Sequence, residues 1–267
     1  MKKMLLFAVA GALILVVGFF VFSTVMFVYV ENKFKPITPI GTIYNTATYP
    51  DKRFDTVLMV HQVNSPRRAA FKEKTFNGFE LDIITDGNGK VSVAHDDRQL
   101  KHDYKLEDIF AAMQEPQTHL FWFDVKNELT QQDIDAILAA AAKFNIPKSN
   151  MLFERTGGET LTLLNKNGLL TMYQIIDSFD KDGGDPARRE EINAEMQAEI
   201  EKYKPFAIVA SLGKYPYLRT YFPNMKKAIH YSTTKRPSIK KILIERKMLK
   251  DPKAEFFMVD EYTYIPL

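Results

Sequence analysis

The sequence has no cysteine among its 267 residues. This absence excludes disulfide bonds, thiolate metal ligands and a cysteine nucleophile, so any metal must be held by oxygen or histidine ligands. An excess of charge of either sign is also lacking, because the chain carries 36 basic and 33 acidic residues. Without Lys2 and Lys3 the balance is 34 to 33. We therefore expect no nucleic-acid partner.

Charged residues are absent from Leu5 to Val30. This apolar run exceeds the roughly 20 residues that cross a bilayer as a helix, so it predicts a single transmembrane anchor. Lys2 and Lys3 before it place the N-terminus in the cytoplasm and the rest of the chain outside, on the periplasmic side of a bacterial inner membrane. A cleaved signal peptide is the alternative, but its apolar core is typically only about 7 to 15 residues long.

The remaining chain divides into a linker and one domain. Residues 31–53 contain Pro36, Pro39 and Pro50 and show no helical periodicity, which indicates a linker between the anchor (residues 1–30) and the domain (residues 54–267). Nine short β-rich runs follow. They are Thr56–Val63, Phe79–Ile84, Lys90–His95, His119–Lys126, Met151–Thr156, Leu169–Ile176, Phe206–Ser211, Lys227–Ser232 and Glu255–Tyr262.

Helical stretches between these runs predict an α/β fold with parallel strands. The clearest are Lys105–Glu115, Thr130–Asn145, Pro186–Lys204 and Ser238–Leu249. The turn sequence Asp86-Gly87-Asn88-Gly89 joins the second and third strands as a hairpin, which leaves eight barrel positions. We therefore predict a (β/α)8 TIM-type barrel. An open doubly wound sheet is less favoured, because no glycine-rich phosphate loop follows the first strand.

Polar residues crowd toward the carboxyl ends of the predicted strands, where barrels keep their active sites. Because side chains alternate along a strand, Glu80 and Asp82 share one face, as do Asp124 and Lys126. Converging carboxylates repel one another unless a cation lies among them. Glu80, Asp82 and Asp124 are thus candidate ligands of Mg²⁺, with Ca²⁺ also possible.

Basic residues near these carboxylates suit the cleavage of a phosphodiester. His61 and His95 come from two strands and could act as acid and base, since histidine titrates near neutral pH. Lys126 and Arg155 could neutralise the charge of a phosphate, and we expect Asn64 to contact the substrate phosphate as well.

The ordered motifs His61-Gln62-Val63-Asn64, Glu80-Leu81-Asp82-Ile83, His95 and Phe123-Asp124-Val125-Lys126 resemble the glycerophosphodiester phosphodiesterase superfamily, especially its sphingomyelinase D-like branch. The resemblance implies a barrel with Mg²⁺ at its mouth, with Glu80, Asp82 and Asp124 as metal ligands. It also implies His61 and His95 as the catalytic histidines and Lys126 as a phosphate contact.

The sequence also departs from that family. Gln62 and Val63 stand where ordinary members have arginine and glycine after the first histidine, so the usual phosphate-binding arginine is missing; Arg67 and Arg155 are candidates to replace it. The segment Val259-Asp260-Glu261-Tyr262 matches the family's last strand only loosely, and no role is assigned to Asp260.

Other residues are read as structural. We expect Trp122 to be core packing and His102, His119 and His230 to be ordinary surface or core residues. The basic stretch from Lys235 to Lys250 predicts an amphipathic helix whose basic face is either solvated or lies on anionic lipid headgroups.

The predicted function is a membrane-anchored, metal-dependent phosphodiesterase acting on glycerophosphodiesters or lysophospholipid headgroups. The alternatives are a catalytically weak barrel that serves as a binding or scaffolding module, and a metal-free barrel hydrolase with a carboxylate pair. The partners expected are the membrane, through residues 5–30, and a phospholipid-derived substrate.

Overall fold

The computed structural model describes residues 2–35, 37–39, 56–175, 185–231 and 239–260. It begins with a long helix, α1 (Lys2–Phe34), of which Gly11–Phe34 is apolar and long enough to cross a membrane. The helix ends at Phe34 rather than at residue 30, so the first residues assigned to the linker form its last turn. Most of the remaining predicted linker lies outside the described residues.

Eight parallel strands close into a barrel, as predicted, and a ninth strand is added as a hairpin. The strands are β1 (Val57–Val60), β2 (Gly78–Thr85), β3 (Val91–Val93), β4 (Leu120–Val125), β5 (Met151–Arg155), β6 (Leu170–Gln174), β7 (Ala207–Ser211), β8 (Lys227–Tyr231) and β9 (Ala254–Val259). Strand β1 pairs in parallel with both β2 and β9, which closes the barrel, while β3 is antiparallel to β2.

Helices connect the strands on the outside. They are α2 (Pro66–Lys72), α3 (Asp97–Leu100), α4 (Leu106–Ala111), α5 (Gln131–Lys143), α6 (Glu159–Lys166), α7 (Pro186–Tyr203), α8 (Tyr215–Tyr221) and α9 (Ile239–Leu249). The four helices predicted from the sequence correspond to α4, α5, α7 and α9, with ends that differ by a few residues.

The hairpin between β2 and β3 is fixed to α5 by one buried carboxylate. Gly87 and Gly89 have φ values of 80° and 91°, a backbone conformation that suits glycine in the tight turn. Asp133, in the first turn of α5, is fully buried and accepts hydrogen bonds from the amides of Thr130 and Gly89. It therefore caps its own helix and holds the turn in place.

The barrel contains two layers of apolar packing. Its interior is filled by alternate strand residues, which include Met59, Trp122, Met172 and Phe256. The opposite faces of the strands pack under the helices in a larger cluster that also includes Val30 and Phe34 of α1. The polar residues that follow the interior layer lie at the carboxyl ends of the strands, which form the mouth of the barrel.

Candidate active site at the barrel mouth

Strand register brings the predicted acidic residues together. Asp82 on β2 lies opposite Asp124 on β4, which in turn lies opposite Glu154 on β5. Glu80 precedes Asp82 by two residues and shares its face of the strand. One carboxylate oxygen from each of Glu80, Asp82 and Asp124 lies within 4.8 Å of the others. All three predicted metal ligands therefore converge at one point.

This cluster is electrostatically strained without a cation. Glu80 and Asp82 are each 1% exposed. Burial, followed by the neighbouring charges of Asp82 and Asp124, raises the pKa of Glu80 well above its ordinary value. The amide of Gln62 donates to Glu80 Oε2 at 2.5 Å and offsets only part of that effect. The arrangement favours a bound cation.

Lys126 supplies one such cation from the protein itself. Its Nζ lies 2.6 Å from Asp82 Oδ1 and 2.5 Å from Asp124 Oδ2. Burial disfavours the charged ammonium, but the two carboxylates outweigh burial and raise the pKa of Lys126 above its ordinary value. Lys126 is therefore charged and contacts two of the three candidate metal ligands.

His61 follows β1 and points toward the same cluster. Its Nδ1 lies 2.9 Å from Asp260 Oδ1, and its Nε2 lies 3.9 Å from Glu80 Oε2. A carboxylate accepting from Nδ1–H selects the tautomer in which Nε2 has a free lone pair. The geometry thus prepares Nε2 of His61 to accept a proton at the edge of the acidic cluster.

Asn64 positions Asp82. Its Nδ2 donates to Asp82 Oδ2 at 2.5 Å, and its Oδ1 accepts from the Asp82 amide at 3.0 Å. Both ends of the side-chain amide therefore engage Asp82. The expectation that Asn64 also contacts substrate phosphate stays a prediction.

His95 lies after β3, at the rim of the site. Its amide donates to Gln99 Oε1, which also accepts from Asn64, so its backbone is linked to Asp82 through two side chains. The imidazole is 46% exposed and lies 3.8 Å from Asp96. His95 is thus placed at the solvent side of the site, whereas His61 is placed at the edge of the acidic cluster.

The predicted phosphate-binding arginine, Arg155, lies on the other side of the mouth. Its guanidinium donates to the carbonyl of Val125 and to Glu128. It shares with Asp124 and Lys126 a polar cavity of about 650 Å³. Arg67, the other candidate replacement for the missing arginine, is exposed on α2.

Trp122, which was expected only to pack the core, and Glu154, to which no role was assigned, both belong to the site. Trp122 is fully buried in the barrel as expected, but its indole also donates to Glu154 Oε2 at 2.6 Å. Burial and the charge of Asp124 raise the pKa of Glu154 to about 8. A neutral carboxyl group therefore lies beside the acidic cluster at neutral pH. Glu154 lies one residue before the end of β5, opposite Asp124, and this place near a strand end is what could have identified it from the sequence.

Sequence reasoning also missed Asp260 and His230. Asp260 follows β9 and His61 follows β1, and the two strands pair with Val60 opposite Val259. His61 and Asp260, the next residues after this pair, are therefore neighbours. Their contact could be predicted from the sequence only by assuming that the first and last strands of the closed barrel pair. His230 lies near the end of β8 and borders a small cleft with His61 and Asp260.

The donor set suits a hard divalent cation. Mg²⁺ and Ca²⁺ prefer oxygen ligands, and the carboxylates of Glu80, Asp82 and Asp124 supply three within a short distance of one another. Burial, and after it the charges of Asp82 and Asp124, raise the pKa of Glu80, and Lys126 offsets this only in part. These residues therefore fit a metal, whose identity the donor set leaves open between the two ions.

No protein-family model and no curated protein sequence matches the chain. Solved structures with a similar fold include a protein from Agrobacterium tumefaciens named as a glycerophosphoryl diester phosphodiesterase. It is 10% identical with a TM-score of 0.56, and the match covers 76% of this chain and 93% of that one. A glycerophosphodiester phosphodiesterase from Parabacteroides distasonis is 11% identical with a TM-score of 0.53, over 77% and 92% of the two chains. The barrel fold is thus similar to that of glycerophosphodiester phosphodiesterases, in agreement with the resemblance of the motifs.

Proposed function

We propose that the protein is a membrane-anchored, metal-dependent phosphodiesterase that cleaves glycerophosphodiesters or lysophospholipid headgroups by histidine acid/base catalysis. One observation carries the proposal. Three carboxylates lie within 4.8 Å of one another at the barrel mouth, with Nε2 of His61 at 3.9 Å from one of them. The motif resemblance and the barrel fold support the same reaction class.

The chain's own residues suit the proton transfers that hydrolysis needs. Water attacks phosphorus as the phosphate–alcohol bond breaks, so one proton leaves the water and one reaches the departing oxygen. His61 takes the first proton at Nε2, because Asp260 holds the hydrogen of its Nδ1. His95, at the solvent side, supplies the second. A substrate hydroxyl in place of water would give a cyclic phosphate by the same transfers.

The metal site and the basic residues would bind the phosphate. A divalent ion held by Glu80, Asp82 and Asp124 would draw charge from the phosphate oxygens. Lys126 stays charged beside Asp82 and Asp124, and Arg155 shares its cavity, so both can face a phosphate at the mouth.

The packing of α1 supports a retained anchor over a cleaved signal peptide. Val30 and Phe34 are 5% and 2% exposed, and the carbonyl of Phe34 accepts from Arg219 at 3.1 Å. Glu31 also pairs with Lys247 of α9. The apolar part of α1 therefore runs as one helix into residues that pack on the barrel, which supports a retained anchor.

The test is hydrolysis of a panel of glycerophosphodiesters and lysophospholipids with Mg²⁺, with Ca²⁺ and with EDTA. We expect metal-dependent turnover that His61→Ala and Glu80→Ala each lower by about 10²-fold or more. Glu190→Gln, an exposed change on α7, is the control and should retain activity. Turnover that persists in EDTA would contradict metal dependence.

One observation favours a second candidate, a catalytically weak barrel used as a binding module. Lys126 already contacts Asp82 and Asp124 and so compensates part of the charge that a metal would neutralise. In that case Mg²⁺ and Ca²⁺ would not raise the melting temperature of the protein, and the panel would show no turnover.

A further inference from the structure

Helix α1 approaches the barrel from the side of its mouth. Tyr29 and Lys33 border a cavity of about 290 Å³ together with Ser211 and His230. Ser211 is the last residue of β7, and His230, which lies opposite it, is the second-last residue of β8. Both residues therefore lie at the carboxyl ends of their strands. This part of α1 therefore lies beside the mouth.

The chain after Tyr29 descends toward the base of the barrel. The carbonyl of Phe34 accepts from Arg219, and the amide of Ile37 donates to Thr220 Oγ1 at 3.0 Å. Arg219 and Thr220 lie near the end of α8, which leads into the amino end of β8. Because the chain passes from mouth to base between Tyr29 and Ile37, the apolar residues before Tyr29 project beyond the mouth.

It follows that the mouth faces the bilayer if α1 spans it. The apolar part of the candidate span, Gly11–Val28, then continues away from the barrel on the side where the acidic cluster opens. Tyr29 and Lys33 would lie at the membrane surface, where aromatic and basic side chains commonly anchor a helix.

An apolar groove lies between α1 and α9, which we call the lipid groove. It has a volume of about 660 Å³, and its apolar walls include Phe22, Met26 and Val30 of α1 and Ile239 and Leu243 of α9. Phe22 is 50% and Ile239 58% exposed. Ile239, on the barrel side of the groove, would cost free energy in water, and a hydrocarbon chain lying along α1 would cover it.

The surroundings of the lipid groove are basic. Arg246, Lys247 and Lys250 border it, and Glu31, the one acidic side chain among its described lining residues, is paired with Lys247. On the side of the mouth, Lys240 and Lys33 lie 4.0 and 5.7 Å from the centre of the Tyr29 ring.

Within the part of the chain that the structure describes, neither Lys33 nor Lys240 forms an ion pair. Both border the cavity at the mouth, and Val30 and Ile239 of the lipid groove are close to them in sequence. The cavity beside the mouth and the lipid groove therefore lie next to each other, and both are bordered by α1 and α9. The combination of an apolar groove and unneutralised ammonium groups is complementary to an amphiphile with an anionic phosphate.

We propose that the lipid groove binds the acyl chain of a membrane phospholipid or lysophospholipid, with its phosphate between Lys33 and Lys240 beside the mouth. Helix α1 then forms one wall of a lipid site as well as a tether, and the substrate reaches the acidic cluster from the bilayer. Calling this lipid the substrate rests on the proposed phosphodiesterase function.

The test uses the full-length protein in phosphatidylcholine nanodiscs that contain a lysophospholipid with a photoactivatable acyl chain. We expect cross-links, mapped by mass spectrometry, in the segments 22–30 and 239–243. The double variant Lys33→Gln/Lys240→Gln should lower this labelling. It should also raise the KM for the lysophospholipid about 10- to 30-fold more than the KM for water-soluble glycerophosphocholine.

A matched double variant, Lys74→Gln/Lys166→Gln, changes two exposed lysines of other surfaces and should behave as the wild type. Cross-links spread over all lipid-facing residues, with equal changes of both KM values, would overturn the lipid site and leave the phosphodiesterase function standing. Labelling confined to α1 and α9 without turnover of either compound would retain the lipid site and overturn the phosphodiesterase function.

Discussion

The His61 imidazole is held by Asp260 on one side and faces Glu80 on the other. Asp260→Asn would leave a side chain of the same size, but one that no longer presents a carboxylate to Nδ1. We expect kcat to fall by about 10²-fold, with KM little changed, because the imidazole loses its orientation rather than its place in the site. Steady-state kinetics on the best substrate of the panel would measure both constants.

The control for this change is Asp135→Asn, on the exposed face of α5. It should leave kcat and the melting temperature as in the wild type. An unchanged kcat in Asp260→Asn would show that His61 does not act through Asp260.

Glu154 predicts a pH dependence of stability. Its pKa is about 8 in the folded protein against an ordinary 4.5, so the folded state binds more protons than the unfolded state between these values. The stability of the wild type therefore falls as pH rises from about 4.5 to about 8, and this contribution levels off above. Glu154→Gln cannot ionise, but its side-chain oxygen can still accept from Trp122.

We therefore compare the free energies of unfolding of Glu154→Gln and the wild type. The difference in favour of Glu154→Gln should grow by at least about 1 kcal/mol from pH 5 to pH 8. Urea unfolding in EDTA at several pH values would measure the difference. Glu190→Gln, which changes an exposed carboxylate, should show no such trend. A difference that stays constant with pH would contradict an ionisable, buried Glu154.

At the scale of elements, closure of the barrel depends on close contact between β1 and β2. Gly78 lies opposite Met59, and a Cβ built on Gly78 would lie 2.7 Å from Met59 Cε. The side chain of Met59 fills the barrel interior, so it has little room to move aside.

Gly78→Ala should therefore destabilise the fold by about 1–3 kcal/mol through overpacking. Thermal or urea unfolding would measure the loss. Gly213→Ala is a suitable control, since its nearest neighbour for a Cβ is 3.8 Å away. Equal stability of the two variants would indicate that Met59 readily takes another rotamer.

The hairpin shows how one element was placed correctly from sequence. Asp86-Gly87-Asn88-Gly89 carries strong turn chemistry, and β2 and β3 pair across it as predicted. The strand lengths were predicted less well, since β1 ends at Val60 and not at Val63. Local propensity identifies an element, but its end depends on where a neighbouring strand stops pairing.

At the scale of the whole molecule, α1 is joined to the barrel by its last turn. Phe34 is 2% exposed, and its ring meets Tyr215 edge-on with centroids 5.8 Å apart. Phe34→Ala should lower the stability of the full-length protein by about 3–5 kcal/mol, because it leaves a cavity between α1 and α8.

Phe20→Ala, in the exposed part of α1, should have little effect on the stability of the barrel. Thermal unfolding of both variants in the same detergent would compare them. If Phe34→Ala unfolds like the wild type, α1 does not stabilise the barrel and is only a tether.

The sequence by itself determined the barrel, the apolar N-terminal helix and the strand ends that carry Glu80, Asp82 and Asp124. These features follow from hydrophobic periodicity and side-chain alternation, which are local properties of the chain. The tertiary structure decided the contacts between distant residues. His61 meets Asp260 across 199 residues, and Trp122 reaches Glu154 because β4 and β5 are in that register. Helix α1 likewise lies beside the mouth through contacts with α8 and α9 that only the closed barrel brings within reach, since packing is a property of the whole fold and not of any segment.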